Sequence, residues 1–234
     1  QYMARPTRES YSAAKRILAW LNGRRDLGVR YGAQHLCSLD DLQPPADPPL
    51  PMSSQRDYSL NCSVDSDLPG TPLPKRDADD NGTVDHRSHC AQLGYVISIA
   101  GGSIDSSSRR QHSTAVDTAA AELYAASSAG AVIVTVASVL AFLSFGALGR
   151  SSVTVWCDNE AAVMVSKDAS SIKRLAYIAR RIRFLQELVT RNIVTLRNVP
   201  GPANPADALT KHISPKVLFR EYMARIYNQA YSLF

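Results

Sequence analysis

The chain has 234 residues, 45% of them hydrophobic, with 26 Lys and Arg against 21 Asp and Glu and a formal net charge of +5. This content allows one sizeable core, alone or with an appendage, and the mild basic balance is compatible with a polyanionic partner without requiring one. The four cysteines (Cys37, Cys62, Cys90 and Cys157) lack CxxC spacing and scaffold-like density, which excludes a disulfide framework and points to a reducing compartment. The chain opens without Met, and its first ten residues are not a signal peptide, so it reads as a piece of something longer.

Residues 7–22 predict an amphipathic helix. Pro6 and Thr7 supply a start, Gly23 a stop, and Ala14, Ile17, Leu18 and Leu21 an apolar face. Residues 27–31 read as a short strand. Residues 40–56 hold Pro44, Pro45, Pro48, Pro49 and Pro51, which neither helix nor sheet tolerates, so this stretch is a linker and the best domain boundary. The division it implies is 1–39, the linker, a main domain over 57–214 and a helical tail over 215–234.

Residues 58–64 alternate Tyr58, Leu60, Cys62 and Val64 and predict a strand that delivers Asp65 at its end. Residues 69–90 are polar and irregular, an insertion. Residues 94–100 predict a strand, Gly101-Gly102 a hairpin turn and 103–111 a weaker partner strand. A long helix follows over about 118–148. Residues 151–159 predict a buried strand, in which Val153, Val155 and Cys157 alternate with Thr154 and Trp156 up to Asp158. A short helix (160–165), a basic helix (about 171–190) and a last strand (192–199) come next. Asn204 is placed to cap a final helix with Pro205 at its first position and Asp207 in its first turn. The fold class is α/β, a mixed sheet whose first three strands are antiparallel and whose later strands run parallel, with flanking helices.

Within the long helix, 125–148 carries no charge and is long enough to span a bilayer. It is rich in Gly, Ala, Ser and Thr, and Ser128, Thr135 and Ser138 recur at helical spacing. The preferred reading is a buried or half-buried core helix, with a membrane-anchored fragment as the alternative.

Four acids fall where sheet edges and helix starts place them: Asp65, Glu122, Asp158 and Asp207. Their order resembles the ribonuclease H pattern. More narrowly, the chain resembles the C-terminal end of a copia-type retrotransposon polyprotein. The residues that carry the likeness to the tail of its reverse transcriptase are Tyr2-Met3, Pro6, Lys15-Arg16-Ile17-Leu18, Leu21, Gly23 and Leu27-Gly28-Val29-Arg30-Tyr31. Those that resemble the ribonuclease H module are Val64-Asp65-Ser66-Asp67, Gly94-Tyr95-Val96, Arg110-Gln111, Ala121-Glu122-Leu123-Tyr124-Ala125, Cys157-Asp158-Asn159 and the closing run Asn204-Pro205-Ala206-Asp207-Ala208-Leu209-Thr210-Lys211. The resemblance implies two divalent cations, Mg²⁺ or Mn²⁺, since hard cations with carboxylate ligands can activate a water and hold a leaving oxygen. It further implies that Asp65 bridges both, that Asp207 helps hold the water-activating ion, and that Glu122 and Asp158 hold the second. Residues 1–39 would then be the reverse transcriptase end and 57–214 the ribonuclease H domain.

Each acid also has a plainer reading. Asp65 can be a turn residue with Asp67 as ligand, or Asp77-Ala78-Asp79 can supply the first acid. Glu122 can serve the helix dipole, and Asp158 and Asp207 can serve helix starts. Asp77 to Gly82 resembles the opening of a calcium loop, but Ser88 stands where the bidentate Glu belongs. His86, His89 and Cys90 invite a zinc reading without an indicated fourth ligand. Lys173, Arg174, Arg180, Arg181 and Arg183 read either as a solvated face or as phosphate contacts for a duplex. The sequence departs from the family pattern at Ala120, near Ser106 and at Tyr177, and carries no His between Pro200 and Asn204.

The expected function is metal-dependent cleavage of the RNA strand of an RNA/DNA hybrid during reverse transcription, beside the upstream reverse transcriptase. It would take place inside the cell, in cytoplasm or nucleus, with no membrane. The alternative is a degenerate module of the same fold that binds nucleic acid or tethers neighbouring domains.

Overall fold

The computed structural model describes residues 8–24, 27–31, 59–68, 90–112, 114–143, 151–168, 175–214 and 216–229. The proline-rich linker, most of the insertion with Asp77, His86 and His89, and the basic residues Lys173 and Arg174 lie outside them. The strands are β1 (Leu60–Asp67), β2 (Gln92–Ile99), β3 (Gly102–Arg110), β4 (Val153–Cys157) and β5 (Val194–Asn198). The helices are α1 (Arg8–Asn22), α2 (Thr118–Leu143), α3 (Glu160–Lys167), α4 (Ala179–Thr190), α5 (Asp207–Thr210) and α6 (Lys216–Tyr227).

The five strands form one mixed sheet in the order β3-β2-β1-β4-β5. β1 pairs antiparallel with β2 and parallel with β4, and β5 continues the parallel side. The central place of β1 follows from its residues. Leu60, Cys62 and Val64 are buried in the main core with Tyr95, Ile97, Val155 and the inner side of α2. Ser63 and Asp65, which point the other way by strand alternation, are buried as well. A smaller cluster of Trp156, Val199 and Ala203 is separate from that core.

Every residue of α2 from Ala120 to Gly130 is buried. Small side chains permit this. A Cβ on Gly130 would come within 2.9 Å of Leu188 Cδ1, so α4 lies close against α2 at that point. The helix starts where Asp117 Oδ1 accepts from Ala120 N at 2.6 Å. Its second half keeps Ile133 and Ala137 in the core while its end is open, with Phe142 82% exposed. By length and composition it could cross a membrane, and in this fold its first half packs on β1, β2 and α4. Its small polar stripe is partly absorbed by the helix itself, since Thr135 and Ser138 hydroxyls donate to Ala131 O and Val134 O.

The order of elements expected from residue 58 onward is the order found. Four local expectations change. β1 continues to Asp67, so Asp65 sits inside the strand opposite Gly94 and not at its end. The hairpin turns on Ala100 (φ 49°) and Gly101 (φ 81°), one residue earlier than Gly101-Gly102, as a two-residue turn with both central φ positive requires. Gly102 instead opens β3, where a Cβ would lie 2.5 Å from Arg30 O. Residues 27–31 form no strand. Their backbone groups bond to the end of α6: Arg30 N donates to Tyr227 O at 3.0 Å, and Asn228 Nδ2 donates to Arg30 O at 3.1 Å. Finally, α5 is only 4 residues long and its N-cap is Ala206. Asn204 caps the preceding turn, with Oδ1 accepting from Ala206 N at 3.2 Å, while its Nδ2 donates to Val64 O at 2.7 Å.

Gly94 is the contact point between β2 and α5. A Cβ there would meet Thr210 Cγ2 at 2.7 Å, Ala206 O at 3.0 Å and Leu209 Cβ at 3.0 Å. Gly94→Ala is therefore expected to cost about 1–3 kcal/mol through overpacking. Urea unfolding measures it, and an unchanged midpoint would mean that α5 moves away freely.

Candidate metal centre

Asp65 reaches the site from the central strand and is 1% exposed. The Thr210 hydroxyl donates to its Oδ2. Lys211 Nζ lies 3.8 Å from its Oδ1. Asp207 opens α5 and is buried. Its Oδ2 accepts from Tyr222 Oη at 3.3 Å and faces Lys211 Nζ at 3.2 Å. Its Oδ1 is buried with no hydrogen-bond partner.

Glu122 comes from the first turns of α2. Its Oε1 accepts from the Ser66 N–H at 2.8 Å and the Ser66 hydroxyl at 2.9 Å. The Cys157 thiol donates to Oε2 at 3.5 Å. Asp158 follows β4 directly and is half-buried. It does not cap α3: Asn159 does, accepting from Ala162 N at 3.0 Å, which leaves the Asp158 carboxylate for the site. Nor does Glu122 serve the start of α2, where Asp117 is the cap.

These side chains form two groups, Asp65–Asp158–Asp207 and Glu122–Cys157–Asp158, each with ligand atoms within 4.8 Å of one another. All four acids singled out in the sequence thus converge, and Asp158 belongs to both groups. Asp67 is half-buried at the end of β1 and belongs to neither. Four residues that sequence reasoning left without a role complete the arrangement: Ser66, Thr210, Lys211 and Tyr222. Lys211 carried a signal, since it stands four residues after Asp207 in the closing motif, one helical turn on. Tyr222 carried none, because α6 folds back from outside the motif.

Crowding marks the electrostatics. Burial, then the nearby Asp65 and Asp158, push Glu122 up to about 8, against the pull of the Ser66 hydrogen bonds. Burial and Asp65 push Asp207 up to about 7, and Lys211 opposes this. Asp158 is raised by burial and by Asp65. Burial works against the charge on Lys211, but Asp65 and Asp207 outweigh it and hold the ammonium above its ordinary value. Burial and then Glu122 push the Cys157 thiol up, so the donors on offer are oxygens. An oxygen-rich set with one orphaned buried carboxylate oxygen fits a hard divalent cation.

Of the basic residues, Arg180 and Arg183 are exposed on α4. The Arg181 guanidinium lies 3.6 Å from the Tyr124 ring centroid and its Nη2 donates to Tyr124 Oη at 2.8 Å, which holds it against α2.

The raised acids set a pH dependence. Folded Glu122 keeps its proton to about pH 8 and unfolded Glu releases it near 4.5; the corresponding values for Asp207 are about 7 and 3.8. Between those limits the folded state binds more protons, so this part of the stability is lost as pH rises. In EDTA the thermal midpoint is expected to fall between pH 4.5 and 8, and Glu122→Gln to flatten the fall. A midpoint that rises over that window would contradict the reading.

No family model matches the chain. The chain is 30% identical over 135 residues to the retrovirus-related Pol polyprotein from transposon TNT 1-94 of Nicotiana tabacum, a stretch that covers 58% of this chain and 10% of that polyprotein. The chain thus spans about a tenth of the length of the curated relative it matches. Among solved structures, it is similar to the N-terminal RNase H domain of a Mycobacterium tuberculosis protein solved as a fusion with maltose binding protein (TM-score 0.45, 15% identity, 65% of this chain and 91% of that one). It is also similar to LC11-RNase H1 in complex with an RNA/DNA hybrid (0.42, 18%, 65% and 94%). A third likeness is to the foamy viral protease-reverse transcriptase in complex with an RNA/DNA hybrid (0.41, 11%, 76% and 23%). By its sheet order and this sequence likeness, the chain has a ribonuclease H-like fold and is similar to part of a copia-type Pol polyprotein.

Proposed function

We propose that this chain is a metal-dependent endonuclease that cuts the RNA strand of an RNA/DNA hybrid, next to the reverse transcriptase of a copia-like polyprotein inside the cell. The observation that carries the reading is the convergence of Asp65, Glu122, Asp158 and Asp207 into two groups of ligand atoms that share Asp158. Splayed acids would have favoured the alternative, a silent nucleic-acid-binding module. Residues 1–39 are read as the end of the reverse transcriptase, 57–214 as the nuclease domain and 215–234 as a tail.

Bound divalent cations, Mg²⁺ or Mn²⁺, would supply an activated water and a counter-charge for the leaving oxygen. Asp65, Asp158 and Asp207 would hold one and Glu122 with Asp158 the other, so the shared acid in this reading is Asp158, where the family resemblance implies Asp65. The chain's own residues prepare those carboxylates. Thr210 orients Asp65, Tyr222 orients Asp207, and Ser66 fixes Glu122 with two hydrogen bonds. Asp158 is half-buried and is shared by both groups of ligand atoms. Arg180 and Arg183, exposed on α4, suit phosphate contacts that position a duplex without reading its sequence. Shape and the 2′-hydroxyl would then mark the RNA strand.

A labelled hybrid should be cut in its RNA strand with Mg²⁺ or Mn²⁺ and left intact in EDTA, while single-stranded RNA and duplex DNA should stay intact in both. Asp158→Asn is expected to lower the rate by more than about a hundredfold, the upper end for loss of an outer-shell partner, while hybrid binding stays the same or tightens because a negative charge has left a site that faces phosphates. Wild-type cleavage by that variant would remove Asp158 from the assignment. Changing Arg180 and Arg183 together to Ala should reduce the salt slope of hybrid binding by about 2. An unchanged slope would place the duplex elsewhere.

A further inference from the structure

Lys211 has no part in the reaction as read above, yet its ammonium stands inside the carboxylate group. Nζ is 3.2 Å from Asp207 Oδ2 and 3.8 Å from Asp65 Oδ1. Both acids belong to the group whose ligand atoms close to within 4.8 Å with Asp158. A divalent cation held by that group would need the same carboxylates. The compensation from the lysine is also partial, because Asp207 Oδ1 stays buried without a partner. The arm is tethered at its root and partly exposed along its length. Lys211 N donates to Asp207 O at 3.2 Å as α5 ends, whereas its side chain is 36% exposed, so one side of it already meets solvent.

The geometry points to Lys211 as an internal counter-ion that holds Asp65 and Asp207 together before a divalent cation arrives and is expelled from between them when the cation binds. This rests on the reading of the acids as a divalent-cation site. The lysine lets nearly buried acids fold side by side without metal, and it sets metal affinity by competition. The observed affinity is the intrinsic one scaled by the fraction of molecules whose lysine is out. With the lysine out in about a tenth of molecules, removing it tightens binding about tenfold.

Two measurements on the full chain test this. The first is amine labelling of the wild type with N-hydroxysuccinimidyl acetate, read by peptide mass spectrometry in EDTA and in Mg²⁺. Lys211 is expected to label faster in Mg²⁺, while the exposed Lys167 keeps its rate. The second is calorimetric titration of Mg²⁺ into the wild type, Lys211→Met and Asp158→Asn. Lys211→Met is expected to bind about tenfold tighter, with a lower thermal midpoint in EDTA. Wild-type Mg²⁺ binding with unchanged or slower labelling of Lys211 overturns the counter-ion role and leaves the metal reading standing. Absence of Mg²⁺ binding in the wild type and in Lys211→Met overturns both. Should Lys211→Met not fold, the labelling of the wild type decides alone.

Discussion

Like charges brought out of water repel, and the architecture around Asp65 and Asp207 is arranged to withstand that repulsion. An uncompensated buried carboxylate is among the costliest groups a fold can carry. Here each one has a different answer: a threonine hydroxyl and a lysine for Asp65, a tyrosine and the same lysine for Asp207, and a serine for Glu122. Asp207 Oδ1 still goes without. The site is therefore an electrostatic load that the surrounding packing holds in place.

That packing explains why the middle of the sheet is built as it is. α5 is too short to be stable alone, so its position is imposed from outside. Asn204 ties the loop before it to Val64 on β1, Arg225 of α6 donates to Ala203 O at 2.7 Å, and Gly94 leaves room for Thr210 and Leu209 to come down on β2. On the core face, the alanine-rich first half of α2 lies close enough for Glu122 to reach Ser66. α6 in turn holds residues 27–31, whose Tyr31 hydroxyl also donates to Ser103 O at 2.7 Å on β3. Helices α2 and α5 thus converge on the strand that carries Asp65, and α6 backs α5 and β3.

By itself the sequence determined the order of the elements and the positions of the acids along them. Alternating Val153, Val155 and Cys157 mark a buried strand wherever it is placed, a run of small apolar residues marks a helix that packs closely, and Asp158 follows its strand by simple adjacency. These are short-range properties, set by side-chain size, branching and spacing. The tertiary structure decided what depends on segments distant in the chain. Asn204 meets Val64 across 140 residues and Asn228 meets Arg30 across 198, and no local pattern announces either pairing. The same holds for Lys211 beside Asp65, for Arg181 drawn onto Tyr124 and for residues 27–31, whose backbone found the end of α6 in place of a strand. Periodicity encodes which face of a segment is apolar, whereas the partner of a buried charge is fixed only when the chain has closed around it.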